Sequence, residues 1–94
     1  MVIDLHSFKD DTKSFSISAN LEGQELTILD HSLDPALEKI NGRPEIEVTI
    51  KIKDIELQKL VLNLLKEKFN SDSALSEMEN WLKKQKIDYS KNTY

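Results

Sequence analysis

Cysteine is absent from this 94-residue chain, which excludes a disulfide framework, a thiolate metal site and a cysteine nucleophile. Glycine occurs twice, as Gly23 and Gly42, too few for a glycine-rich phosphate loop. Of thirteen basic residues only Arg43 is arginine. A guanidinium grips phosphate in a bidentate fashion that a lysine ammonium cannot, so this usage argues against direct nucleic-acid recognition. The longest apolar runs, Leu60-Val61-Leu62 and Leu64-Leu65, are split by Asn63 and fall far short of the roughly 20 residues a membrane helix needs. The amino terminus has no basic segment followed by an apolar one, so no signal peptide is expected and a cytoplasmic location is. Neither a Gly-x-Ser-x-Gly elbow nor a His-Glu-x-x-His helix occurs, and no cofactor is expected.

What the chain does have is charge, unevenly placed. It is 38% apolar and 32% charged, a composition of folded globular domains. The net charge of −4 divides into −6 over residues 1–47, where ten carboxylates face four basic residues, and +2 over residues 48–94. From Ser14 to Glu38 there are five carboxylates (Glu22, Glu25, Asp30, Asp34, Glu38) and no Lys or Arg. A run of one sign attracts cationic partners and repels nucleic acid. Abundant Lys, Ile and Asn suggest an AT-rich genome, bacterial or phage.

The first half reads as strands. Ile3 and Leu5 alternate weakly with Val2, Asp4 and His6, and Lys9 to Lys13 is a polar turn. Phe15, Ile17, Ala19 and Leu21 then face one way while Ser14, Ser16, Ser18 and Asn20 face the other. Gly23 offers a positive φ for the turn into a third strand at Leu26 and Ile28. Asp34, Pro35 and Gly42 supply the N-cap, first-turn proline and C-terminal glycine of a short helix near 35–41. The clearest strand follows, with Ile46, Val48, Ile50 and Ile52 set against Glu45, Glu47, Thr49, Lys51 and Lys53.

The second half reads as helices. One runs from a cap at Asp54 to about Phe69 with an apolar arc of about 220°, twice what a surface helix needs, so it requires cover on two sides. A second runs from Ala74 to about Gln85 with an ordinary stripe including Met78, Trp81 and Leu82. Ile87 and Tyr89 suggest a short final strand, and residues 90–94 a frayed tail. The expected architecture is α+β: one domain over 1–89, with a mainly antiparallel sheet of four or five strands packed on one face by the two carboxy-terminal helices. Ile50, Leu60 and Leu64 are its expected core, each costing about 2–5 kcal/mol on truncation to Ala.

Several sets of residues bear on function. Asp4 and His6, two apart on a strand, would share a face and form an oriented base or half of a metal site. Asp30, His31 and Asp34 would converge only in a turn, and Asp34 is better used as a helix cap. The Lys83-Lys84-Gln85-Lys86 cluster suits the negative end of a helix dipole. Trp81, at helical spacing with Met78 and Leu82, reads as core rather than interface anchor. No set forms an enzyme signature, so the leading expectation is a small acidic protein-binding module without catalytic activity. A stoichiometric inhibitor of the immunity, antitoxin or phage anti-defence type fits best. Glu22, Glu25, Asp30, Asp34 and Glu38, with Ser16 and Ser18 of the flat polar face, are its expected contacts with a basic protein. Two alternatives stand beside it: a homo-oligomeric structural subunit (a homodimer fits), and a small metal-dependent or hydrolytic enzyme using Asp4/His6 and Asp30/His31.

Overall fold

Alternating apolar and polar residues in the first half build an antiparallel meander. The computed structural model describes residues 1–93. Strands β1 (Val2–Lys9), β2 (Ser14–Glu22), β3 (Glu25–Leu33) and β4 (Glu45–Lys53) form one four-stranded sheet in the order β1-β2-β3-β4. The chain then forms helices α2 (Ile55–Lys68) and α3 (Ala74–Lys84), giving the α+β class that the pattern predicts. It divides into two compact units, Met1–Gln58 and a second beginning at Lys59. Among the described residues the sheet has four strands, and residues 87–89 add no fifth.

Local chemistry fixes each connection. In the β1–β2 turn, Asp10 Oδ1 accepts from the backbone amides of Thr12 and Lys13, both at 2.8 Å, and from Thr12 Oγ1 at 3.0 Å. These bonds, the Thr12 amide first, hold the Asp10 carboxyl below its ordinary pKa. Between β2 and β3, Gly23 takes φ 58° while Gln24 does not enter the left-handed region. This is the II′ pattern, whose twist matches that of the strands it joins. After β3, Asp34 Oδ1 accepts from the Ala36 amide at 3.0 Å and caps the 3-10 turn Pro35–Leu37. That turn leads into α1 (Glu38–Asn41), which ends at Gly42 with φ 79°.

Register is continuous across β2, β3 and β4, and broken once in β1. A shift between Asp4 and His6 marks a β-bulge, so Asp4 lies opposite Ser18 while His6 lies opposite Ile17. Phe8 and Phe15, opposite each other, stack with ring centroids 5.0 Å apart. Ala19, opposite Ile3 and Ile28, is the one buried apolar residue among those described, at 8% exposure.

In the second unit the end of α2 meets α3 through Phe69 and Trp81, edge to face at 6.3 Å, with Lys68 Nζ 5.7 Å and 5.8 Å from the two rings. The close of α3 is a Schellman motif: Lys86 N–H donates to Lys83 O and Ile87 N–H to Leu82 O, with Lys86 at φ 58°. The segment expected to fray is tied at Lys91, whose Nζ lies 3.0 Å from Glu79 Oε2. That contact holds the Glu79 carboxyl below, and the Lys91 ammonium above, their ordinary values.

The expected core is corrected by exposure. Ile50 and Leu64 are each 58% exposed, so neither can give the large truncation cost that its place in the sequence pattern suggested. Half-buried Leu60 and Ile28 are better packed. Ile28→Ala is expected to cost about 2–3 kcal/mol and Ile50→Ala about 1 kcal/mol or less, read from denaturant midpoints. Equal midpoint shifts would mean that exposure does not rank these sites. Lys86→Gly is expected to stabilise by about 1 kcal/mol, because glycine removes the steric cost of the left-handed position. A lower melting temperature for that variant would contradict this.

Candidate docking surface

Strand alternation sorts every sheet residue onto one of two faces. One is apolar: Phe15, Ile17, Ala19 and Leu21 of β2 lie opposite Ser32, Asp30, Ile28 and Leu26 of β3. These in turn lie opposite Ile46, Val48, Ile50 and Ile52 of β4. Large side chains on this face are open to solvent, among them Ile3 at 57% and Val48 at 56% exposure. Exposed, contiguous apolar surface is the usual mark of an interaction site.

Asp30 sits in the middle of that face. Ile17 flanks it on β2 and Val48 on β4; the residue is exposed, and among the described residues no cation pairs with it. His6 occupies the same cross-strand row beyond Ile17, two strand spacings or about 10 Å away and out of hydrogen-bond reach. The sequence named Asp30 but ended the third strand near Ile28. In the fold β3 continues to Leu33, so Asp30 and His31 belong to a strand and not to a turn. Extending the alternation through Asp30 and Ser32 would have found this; two polar residues on the apolar side concealed it.

The other face is polar. Ser16, Ser18 and Asn20 lie opposite His31, Leu29 and Thr27. Glu45, Glu47, Thr49, Lys51 and Lys53 line its β4 margin. His31 Nε2 is 4.0 Å from Glu45 Oε2, at the limit of an ion pair.

The five carboxylates of the acidic stretch do not form one patch. Glu22 and Glu25 oppose each other at the β2–β3 hairpin, where Asn20 Nδ2 donates to Glu22 Oε1 at 3.3 Å. Asp34 and Glu38 lie at the other end of the sheet, Asp34 nine residues or about 30 Å from Glu25 along the strand direction, and Asp34 is engaged as a cap. Asp30 is on the opposite face from Ser16 and Ser18. Proximity in sequence placed these residues together; the hairpin separates them.

The residue pairs named for the catalytic alternative are divided between the two faces as well. The bulge puts Asp4 on the polar face and His6 on the apolar one, and Asp30 and His31 alternate to opposite faces. Among the described residues no group of three or more His, Asp or Glu side chains is placed to hold a metal, and no helix is long and apolar enough to cross a membrane. The second unit carries a separate apolar cleft of about 600 Å³, lined by Val61, Leu64, Leu65, Phe69 and Trp81 with Lys68 at its rim. Half-buried Trp81 forms its wall. In the basic cluster, Lys83 Nζ lies 3.4 Å from Glu79 Oε1 within α3, an intrahelical use of that charge.

Like charges directly opposite on a sheet repel, so Glu22→Lys is expected to raise stability by about 0.2–1 kcal/mol through attraction to Glu25. A denaturant midpoint that stays put or falls would show that the two carboxylates do not sense each other. Comparisons with protein-family models, with curated proteins and with solved structures returned no match.

Proposed function

We propose that this chain is a small non-catalytic protein-binding module that lays the apolar face of its sheet on a basic partner protein. The observation that carries this reading is a solvent-exposed apolar sheet face with a carboxylate, Asp30, at its centre that no cation pairs with among the described residues. Apolar burial supplies the affinity, at roughly 25 cal/mol for each Å² removed from water. Asp30 supplies the selection. Covering an ionised carboxylate without a counter-charge is costly, so a partner lacking a cation at that point is rejected. The net charge of −4 steers cationic partners toward the molecule before contact.

Binding of this kind, stoichiometric and without chemistry, is the action of an inhibitor that occludes a basic working surface. Immunity proteins, antitoxins and anti-defence proteins are of that class. The contact set is narrower than the acidic stretch suggested: Asp30 is central, Glu22 and Glu25 are peripheral, and Asp34 is committed to its helix cap.

The test is affinity capture from lysate of the source organism with three baits: the native chain, Asp30→Lys and Glu22→Lys. The native chain and Glu22→Lys are expected to retain one basic protein at equal stoichiometry, and Asp30→Lys to lose it at least tenfold. Retention of that protein by Asp30→Lys would sink the reading, because the central carboxylate would then select nothing.

A further inference from the structure

The order of charges along β4 points to a second copy of this chain. Reading outward from Thr49 in both directions, Val48 meets Ile50, Glu47 meets Lys51, Ile46 meets Ile52 and Glu45 meets Lys53. Apolar positions repeat and charged positions invert. A strand with that symmetry is complementary to itself when run antiparallel.

The fold leaves this strand open to such pairing. In the order β1-β2-β3-β4 the sheet has two outer strands, and β4 is one of them. Its register with β3 runs unbroken through all nine residues. The hydrogen bonds at its two ends fix which way its backbone groups point. Pro44 O accepts from Asp34 N–H, and Asp54 N–H donates to Gln24 O, both at 2.9 Å. Even-numbered positions therefore turn toward β3. By alternation Glu45, Glu47, Thr49, Lys51 and Lys53 aim their amides and carbonyls outward. The other outer strand, β1, is interrupted by its bulge, a common device against edge pairing.

We infer that the protein dimerises by antiparallel pairing of β4 with β4 of a second copy, about a two-fold axis at Thr49. This register sets Glu45 opposite Lys53 of the second copy and Glu47 opposite Lys51, and the reciprocal pairs double each contact. The outward-facing residues are the ones that meet, so every outer N–H and C=O of the strand gains a partner. Val48 and Ile50 pack across the axis on the apolar face. The product is a continuous eight-stranded sheet.

Orientation and register are both specified. A parallel arrangement sets Glu beside Glu and Lys beside Lys, which repel. A slip of two residues keeps two of the four opposite-charge contacts, and a slip of one reverses the faces. Charged residues on an outer strand ordinarily discourage pairing. Here their inverted order discourages other strands and admits this one. The inference stands independently of the partner reading above, since it uses the plane of the sheet and not its face.

Sedimentation velocity over 1–500 µM, a range wide enough to populate a weak dimer, tests it with Glu47→Lys and Lys51→Glu. The native chain is expected to dimerise, and each single variant to dimerise at least tenfold more weakly, because each replaces two attractions by two repulsions. An equimolar mixture of the two variants pairs opposite charges at every position and is expected to recover native affinity within about threefold. Recovery on mixing also shows that both variants are folded. Because the chain has no native cysteine, Thr49→Cys gives a second readout. Under oxidation it is expected to form a disulfide dimer, whereas Ser7→Cys on β1 is not. A native chain that stays monomeric throughout the range, mixing without recovery, or Thr49→Cys that crosslinks no better than Ser7→Cys would each overturn the inference.

Discussion

The register of the β2–β3–β4 meander is the constraint on which the rest of the molecule depends. Gly23 at φ 58° closes a two-residue turn that sets Glu22 opposite Glu25, and every later pair in that hairpin follows by counting. At the far side, the Asp34–Pro44 and Gln24–Asp54 backbone bonds fix β4 at both ends. A slip of one residue would carry all apolar side chains to the opposite face. Asp30 is central to the apolar face, and the odd-numbered residues of β4 face outward, because this register allows no other placement.

Elements set by local chemistry were legible in the sequence. The alternation from Phe15 to Leu21 and from Ile46 to Ile52, the Gly23 turn, and the Asp34-Pro35-Gly42 punctuation each depend on near neighbours, and each has its expected counterpart. Features needing longer-range information were not. The bulge between Asp4 and His6 depends on how β1 meets β2, and no residue in β1 announces it. Assigning both side chains to one face assumed an unbroken pleat. The exposure of Ile50 and Leu64 was equally hidden, because periodicity tells which side chains share a face and not whether that face is covered.

The acidic stretch shows why the candidate site was only partly legible. Five carboxylates without a basic residue are a real feature of the chain, yet a hairpin folds such a run back on itself and distributes it over two faces and two ends. The proposed docking uses a single member, Asp30, because of its neighbours Ile17 and Val48. The charged residues of β4 were visible in the sequence only as the set opposite its apolar residues, and their inverted order carried no reading there. They acquired meaning only when the topology made β4 an outer strand, since in an interior position the same order would be matched to β3 and to a fixed neighbour instead.

Pairing through β4 and docking through the apolar face are compatible, and electrostatics decides how they combine. Each chain carries a net charge of −4, so two copies repel at long range. At physiological ionic strength that repulsion decays over about 8 Å, whereas the Glu–Lys contacts across the axis act at touching distance and are screened least. Local complementarity therefore prevails over net repulsion, and the balance improves as salt rises until the contacts themselves are screened. In the paired sheet, three strand spacings and a two-residue offset separate the two Asp30 carboxylates by about 16 Å. At twice the screening length they act as independent binding sites on one continuous apolar face. A dimer built this way is bivalent, and a partner presenting two cations at that spacing would bind it more tightly than two separate chains could.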